Sequence, residues 1–359
     1  MVVCRHKIHW QSNARLPSVL QVIRQIDPSD DTAMRQVYDV GVASKSVARP
    51  WFSPPSYESW LIGMRKADPE EPRELYGCFD ERGACIGTNL LFVPAQDNLE
   101  KVYAVLDVAP DRRRHGVGSA LVKHAKDRVR ELGRSTLFAE TMAPGAGDGA
   151  HEYAEFAESH GFTPAWRELT RHLALPVADA VLADIASAAR DHCEGYRVET
   201  FVGRVPDELL PGLAELMAML AVDAPSGDVE FDAEVVTPER LRRIYDREAE
   251  QGRIRLSALA IESGSGVVAA QTDLVFDDTL DPVEQEGTYV HRQHRGHRLG
   301  SAVKVANLQR LQRVYPGRPF VRTMNADTNE QMISINRALG FEVVETMTEW
   351  IAEGESLLG

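Results

Sequence analysis

The chain has 359 residues, 43% of them hydrophobic and 26% charged, which is typical of a folded protein long enough for two domains. Its net charge of −14 argues against nucleic-acid binding, which requires a basic surface. No apolar run approaches the length of a membrane span, the N-terminus lacks a signal-peptide pattern, and the four cysteines form no metal-binding or disulfide pattern. We therefore expect a cytoplasmic protein without membrane contact and without a metal.

The first half of the chain alternates between predicted strands and helices. A strand in residues 19–26 (VLQVIRQI) precedes a helix, and two strands then surround the Glu-Arg-Gly turn of ELYGCFDERGACIGTNLLFV. The strand KVYAVLDV follows, then the helical pattern SALVKHAKDRVRELG, the strand STLFAET and a short helix ending in HGF. With a closing strand, this half has the predicted order β-α-β-β-β-α-β-α-β.

The second half repeats the same order. The strand YRVETF and the helix DELLPGLAELMAML precede two strands around Ser-Gly-Ser-Gly, in IRLSALAIESGSGVVAAQTDLVF. The strand EQEGTYV, the helix SAVKVANLQRLQRV, the strand PFVRTM and a short helix ending in LGF follow.

One phrase occurs in both halves and organises the chain. VAPDRRRHGVGSALVKHA starts at Val108, and VHRQHRGHRLGSAVKVAN starts 182 residues later at Val290, each between a strand and a helix. A repeat of this length predicts duplicated domains rather than a solenoid. We place the two domains at residues 1–185 and 186–359, with the helical pattern ADAVLADIASAARD as the connector.

The repeated phrase has the chemistry of an anion site. Arg113, Gly116 and Gly118 stand where a strand gives way to a helix. A helix N-terminus presents unpaired N–H groups and the positive end of the helix dipole, and glycines let the backbone approach an anion closely. The pattern predicts a cradle for a pyrophosphate, and a glycine-capped surface turn is the alternative.

This phrase resembles the (Gln/Arg)-x-x-Gly-x-(Gly/Ala) acetyl-CoA signature of the GNAT N-acetyltransferases, and the plan of the whole chain is similar to that of the tandem GNAT enzymes of actinobacteria. The resemblance implies a mixed α/β fold with two tandem GNAT domains, each a mostly antiparallel sheet flanked by helices. It implies acetyl-CoA, or another acyl-CoA, as the donor and a primary amine of a small molecule as the acceptor, without an acyl-enzyme. A non-catalytic CoA-binding or regulatory protein and a protein-lysine acetyltransferase are the rival interpretations.

The resemblance also assigns the donor-binding residues. In the second copy Arg298 replaces the glycine found at Gly116, and it either faces solvent or contacts a CoA phosphate. A backbone amide near Val290 would polarise the thioester carbonyl. The residues assigned to the donor in the two phrases are Val108, Arg113, Arg114, His115, Gly116, Val117, Gly118 and Ser119, and Val290, Arg295, Gly296, His297, Arg298, Leu299, Gly300 and Ser301.

Several members of the family carry a catalytic Glu eleven residues before the signature. That count gives Glu284 in the second copy and Val102 in the first, and Glu286 would share a strand face with Glu284. We predict one of these two carboxylates as the base, although both fit an ordinary acidic loop.

The asparagine pattern favours the same copy. The family's CoA-contacting Asn falls on Asn329, where the first copy has Ala150. The position of the family's general-acid Tyr falls on Asn336, where the first copy has Ala157. Asn325 ends the fifth strand of the second copy. We therefore predict a catalytic second copy and a degenerate first copy. The first copy keeps the better glycine cradle, and it either binds CoA without catalysing or is purely structural.

Two questions stay open at this stage. Trp51, Phe52, Tyr57 and Trp60 cluster before the second strand of the first copy, where they form either a wall for the acceptor or part of the core. The sequence also leaves open whether the chain forms a homodimer.

Overall fold

The computed structural model describes residues 21–66, 68–145, 151–223, 227, 229–277 and 282–358. Within these ranges the predicted element order is confirmed, and each half carries an additional helix before its second strand. The first half comprises β1 (Val22–Gln25), α1 (Asp31–Lys45), α2 (Tyr57–Arg65), β2 (Arg73–Phe79), β3 (Cys85–Phe92), β4 (Lys101–Val108), α3 (Val117–Glu131), β5 (Thr136–Pro144), α4 (Glu152–Ser159) and β6 (Thr163–Ala174).

The second half begins with a helix that packs against its own central helix. It comprises α5 (Asp179–Arg190), β7 (Tyr196–Val202), α6 (Leu210–Ala218), α7 (Leu220–Asp223), α8 (Pro238–Glu250), β8 (Arg253–Glu262), β9 (Val268–Asp277), β10 (Pro282–Val290), α9 (Leu299–Val314), β11 (Phe320–Ala326), α10 (Glu330–Leu339) and β12 (Glu342–Glu353). None of the helices in the described part of the chain is long and apolar enough to cross a membrane.

The two mixed sheets are joined into one because the halves exchange their last strands. Among the described residues the twelve strands follow the order β1-β2-β3-β4-β5-β12-β6-β11-β10-β9-β8-β7. β12 lies between β5 and β6 and is antiparallel to both, while β6 also pairs with β11. Each half therefore supplies a strand that separates the fifth and last strands of the other half.

Each exchanged strand packs its side chains into the hydrophobic core of the half that receives it. Trp350 of β12 is 3% exposed and packs with Leu91 and Val102 of the first half. Leu173 of β6 is likewise buried with Leu256 of the second half. Burying a large apolar side chain contributes roughly 1.5–3 kcal/mol, so each half is stabilised by the strand it receives.

The predicted boundary at residue 185 falls inside α5. Leu182 is buried in the second half's core, and Ile185 packs against the same cluster. The helix proposed as a connector thus belongs to the second half by its contacts. The division into domains 1–185 and 186–359 remains a prediction from the sequence, because one sheet contains strands from both halves.

The fourth and fifth strands separate in both halves. β4 and β5 are parallel and paired only from Lys101–Thr136 to Ala104–Ala139, and β10 and β11 only from Pro282–Phe320 to Glu284–Arg322. Beyond these pairs the strands diverge. We call the space between β4 and β5 the first gap and the space between β10 and β11 the second gap.

Candidate functional site

Both gaps open into one cleft of about 1110 Å³ between the halves. β4, β5, α3 and α4 supply its wall on one side, and β10, β11, α9 and α10 supply its wall on the other. The strand exchange produces this arrangement, because it brings the two gaps to neighbouring positions along one sheet.

The start of α3 forms an open anion cradle at the first gap. Gly116 has φ +83° and precedes the helix, and no side chain of the described residues caps its N-terminal N–H groups. Arg113, Arg114 and Ser119 line the cleft beside these groups together with both glycines of the phrase. The Arg113 guanidinium is held by the Tyr153 hydroxyl at 2.9 Å and by a backbone carbonyl of α1. Unpaired N–H groups, a helix dipole and two arginines together suit a phosphate.

Two predicted residues of this phrase have no side-chain contact with the cleft. His115 is exposed and lies outside the cleft lining, with a ring nitrogen 2.6 Å from the Arg113 carbonyl oxygen. Val117 is 2% exposed and packs in the core beside Leu121. Only the backbone of Val117 remains available to a ligand.

The first gap is largely apolar. Aliphatic and aromatic side chains from β4, α3, β5, α4, β12 and the turn before β6 line the cleft here, together with the carboxyl groups of Asp107 and Glu140. The apolar residues that line the cleft here are Ala104, Leu106, Val108, Val122, Ala139, Ala157, Phe162 and Trp350.

The matching phrase of the second half contacts α5 and the segment after it, although residues 295–298 are themselves exposed. Arg298 is left-handed, with φ +51°, and its guanidinium donates to the Ala188 carbonyl of α5. A ring nitrogen of His297 lies 3.1 Å from the His192 carbonyl oxygen, and the Cys193 thiol donates to the His297 carbonyl. The segment between α5 and β7 therefore lies against the phrase.

The other predicted donor residues of this cradle also lie outside the cleft. Arg295 is paired with Asp223 at 2.7 Å and donates to the Val290 carbonyl. Gly300 is buried, and a Cβ there would stand 3.3 Å from Ile335. All residues of this phrase are described by the structure, yet none of the following lines the cleft: Val290, Arg295, Gly296, His297, Arg298, Leu299, Gly300 and Ser301.

A lysine occupies the second gap. Lys304 aligns with Val122 of the first half, is 1% exposed and faces the cleft. Its ammonium donates to the Asn336 Oδ1 at 2.7 Å and contacts the Met332 sulfur at 3.6 Å. Asn336 in turn donates to the Asn325 Oδ1 at 2.6 Å.

The prediction that Asn336 contacts the donor is wrong, because this side chain is fully buried and both its polar atoms bind protein groups. Asn325 and Asn329 do line the cleft. The Asn329 Oδ1 also caps α10 by accepting a hydrogen bond from the Met332 amide at 3.1 Å.

The two predicted bases line the cleft, and each is paired with arginine. Both oxygens of Glu284 accept hydrogen bonds from Arg322, at 2.8 and 2.9 Å. Glu286 accepts from the buried Arg255 at 3.0 Å. Both oxygens of Glu284 are therefore already bound to Arg322, which opposes its predicted role more strongly than the contact with Arg255 opposes that of Glu286.

Three carboxyl groups that the sequence analysis did not single out meet where the halves join. Glu140 of β5 pairs in register with Glu349 of β12, and Glu168 of β6 lies nearby. Burial raises the pKa of Glu140 and of Glu168. Burial, with the charges of Glu140 and Glu168, raises the pKa of Glu349 to about 9.

Of this group, Glu140 and Glu168 line the cleft. Glu140 follows Ala139, the last β5 residue paired with β4, and is exposed to the cleft. The three acids lie on three different strands, and only the strand exchange brings them together. No local pattern in the sequence could have identified this cluster.

These contacts oppose the prediction of a catalytic second copy. The first phrase lines the cleft beside apolar side chains, whereas no residue of the second phrase lines it and Lys304 occupies the second gap. The signal was available in the sequence, because Lys304 lies four residues after Gly300 on the buried face of the helix, where the first copy has Val122. Ala150 and most of the insertion at residues 144–151 lie outside the described residues.

The aromatic cluster of the first half divides between the two interpretations. Phe52 lines the cleft. Tyr57 and Trp60 stack with centroids 6.0 Å apart, and both pack against Tyr38. Trp51 meets His172 edge-on.

Comparison with known proteins identifies the family. A model of the acetyltransferase (GNAT) family matches residues 46–162, in the first half, and no curated protein sequence matches the chain. A tandem GNAT protein from the clavulanic acid biosynthesis pathway is 27% identical, with a TM-score of 0.76, over 93% of this chain and 98% of that one.

Two more distant structures share the fold. A GCN5-related N-acetyltransferase from Sphaerobacter thermophilus is 16% identical, with a TM-score of 0.60, over 93% of this chain and 95% of that one. A putative acetyltransferase from Pyrococcus horikoshii is 11% identical, with a TM-score of 0.53, over 98% and 94% of the two chains. The chain therefore has a tandem GNAT fold, with two copies of the GNAT acetyltransferase fold in one polypeptide, and its first half matches the GNAT family.

Proposed function

We propose that this protein is an acyl-CoA-dependent N-acyltransferase that binds acetyl-CoA in its first half and acetylates a primary amine of a small molecule. The observation that carries the proposal is the asymmetry of the gaps. The phrase of the first half lines the cleft beside a largely apolar gap, whereas no residue of the second phrase lines it and Lys304 occupies the second gap.

The residues of the first half fit the donor. The N–H groups at the start of α3, with Arg113 and Arg114, would hold the CoA pyrophosphate. The apolar walls of the first gap suit the pantetheine arm. Beyond Ala104, backbone groups of β4 have lost their β5 partners, so an N–H there can donate to the thioester carbonyl as its charge develops.

Bound acyl-CoA supplies the acyl group as an activated thioester. The chain must supply a proton acceptor, because an ammonium group is not a nucleophile. We assign this role to Glu140, whose carboxyl is exposed to the cleft directly after the strands separate. Burial raises the pKa of Glu140 against the opposing effect of the Lys45 charge, which makes the carboxylate a stronger base near neutral pH.

Two further features support a small cationic acceptor. Glu168 adds a second acidic group to the same wall of the cleft, and opposite charge attracts an ammonium. Both halves wall the cleft, which favours a small molecule over a lysine on a folded protein.

The test is release of free thiol from acetyl-CoA with a panel of primary amines, comparing wild type with Glu140→Gln and Glu284→Gln. Glu140→Gln should lower kcat by about 100-fold, since loss of a general base typically costs at least that factor. The wild-type rate should rise with pH through the raised pKa of Glu140, because the carboxylate is the active form.

Glu284→Gln is the matched control, because it removes a cleft carboxylate that is already bound to Arg322. It should change kcat by only a few fold. A larger loss in Glu284→Gln than in Glu140→Gln would restore the base predicted from the sequence. Binding of acetyl-CoA without turnover of any amine would favour the regulatory interpretation.

A further inference from the structure

Lys304 is a buried cation without a counter-ion. Its amine contacts the Asn336 amide oxygen, the Met332 sulfur and the face of the Phe341 ring, and no acidic side chain of the described residues forms an ion pair with it. The charged group that acts on it is Arg171, which has the same sign. Burying a charge without a partner is costly, and proteins rarely retain such a group without a use for it.

Another buried cation in the same half has acidic partners. Arg255 is also almost fully buried, and it is paired with Glu248, Asp273 and Glu286 at 2.6 to 3.0 Å. The second half is therefore able to neutralise a buried charge, and it does not do so at Lys304.

The neighbours of Lys304 also present donors to the cleft. The Asn325 Oδ1 accepts from Asn336, and the Asn329 Oδ1 accepts from the Met332 amide. In both Asn325 and Asn329, the polar atom that remains available to a ligand is therefore Nδ2, which is a hydrogen-bond donor. Both side chains line the cleft beside Lys304.

We propose that the second gap is a subsite for an anionic group of the acceptor, which Lys304 neutralises while Asn325 and Asn329 donate hydrogen bonds to it. The inference rests on the proposed function, because it assumes that the acceptor's amine lies at Glu140 across the cleft. The acceptor class is then a compound with both a primary amine and a carboxylate or phosphate group. The second half, whose phrase does not line the cleft, serves to recognise the acceptor.

The linkage of binding to protonation gives a direct test. Burial and the charge of Arg171 lower the pKa of Lys304 to about 7, so most of this amine is neutral at pH 8. An anion bound beside it favours the ammonium, so binding at pH 8 takes up a proton. Asn336, Met332 and Phe341, which also contact Lys304, carry no charge that could account for that proton.

The experiment is calorimetry of acetate and of inorganic phosphate with the full chain at pH 8, in two buffers of different ionisation enthalpy. Wild type should bind at least one anion with net proton uptake, and the better anion identifies the group as carboxylate or phosphate. Lys304→Met should lose the proton uptake and about tenfold or more of the affinity, as expected for a hydrogen bond to a charged group. Lys123→Met, which removes an exposed lysine of α3, should behave as wild type.

Two outcomes would overturn the subsite: no binding of either anion by wild type, or binding that Lys304→Met leaves unchanged. The proposed function is tested separately by adding acetyl-CoA to the same proteins, since Lys304→Met should retain wild-type affinity for it. Anion binding without acetyl-CoA binding would leave the subsite standing and remove the acyltransferase proposal.

Discussion

In the first half, α3 begins after Gly116 and turns Val122 toward an apolar gap. In the second half, α9 begins after Arg298 and turns Lys304 toward a polar gap. Both helices follow the same phrase and occupy the same place in the fold. The comparison teaches that a duplicated signature does not imply a duplicated site. Residues outside the signature, on the buried face of the helix and in the preceding loop, decide whether the cradle can be used.

The exchanged strands explain why both halves are needed at one site. β12 carries Glu349 and Trp350 into the first half, and β6 carries Glu168 and Leu173 toward the second. One cleft then has the proposed donor-binding groups on one wall and the proposed acceptor-binding groups on the other. A pair of independent domains would have had two separate clefts.

Separating the two halves should have the largest effect on the protein. Fragments 1–185 and 186–359, expressed alone, should fail to unfold cooperatively, because each lacks the strand that lies between its own fifth and last strands. Mixed from denaturant, they should form a one-to-one complex with the thermal transition of the intact chain. Circular dichroism and size-exclusion chromatography measure both properties. A monomeric fragment with a sharp transition would show that the halves are independent.

The pH dependence of stability tests the contact where the halves join. The pKa of Glu349 is about 9 in the folded chain, well above the value of roughly 4.3 for an unfolded Glu. The folded state therefore holds this proton more tightly, and the contribution of Glu349 to stability falls as the pH rises between those two values.

Glu349→Gln should remove that fall, because glutamine mimics the protonated acid. We expect its melting temperature to exceed that of wild type by about 5 °C at pH 8 and by little at pH 4.5. Glu342→Gln, on the exposed end of β12, should show no such difference. Equal effects of the two substitutions would argue against a carboxyl cluster at Glu349.

The smallest effect is expected from restoring the missing glycine. Arg298→Gly relieves a left-handed arginine at φ +51°, a conformation that costs about 1 kcal/mol, but loses the bond to Ala188. The free energy of unfolding should change by no more than about 1 kcal/mol. Acetyl-CoA titrations should still show one site per chain, since Lys304 continues to fill the second gap. A second site in this variant would mean that the loss of the glycine at position 298 is by itself what closes the second cradle.

Local patterns in the sequence predicted the element order, the strand-to-helix junctions and the glycine cradle at Gly116 and Gly118. These features depend on neighbouring residues, which is why periodicity and turn residues reveal them. The exchange of β6 and β12 depends on pairing between distant strands, so neither the common cleft nor the meeting of Glu140, Glu168 and Glu349 could be read from the chain. The choice of the second copy stays a prediction, and the difference between Lys304 and Val122 at the two gaps argues against it.

The central claim is that acetyl-CoA binds the first cradle and not the second. The most direct test is calorimetric titration of acetyl-CoA into Ser119→Glu and Ser301→Glu, which place the same charge at matching positions in the first turns of α3 and α9. A Glu in the first turn is favourable for a helix, so both variants should fold. Ser119→Glu should lose about tenfold or more of the affinity by charge repulsion with the phosphates, and Ser301→Glu should match wild type. Loss of binding in Ser301→Glu alone would contradict the account and return the donor site to the second half.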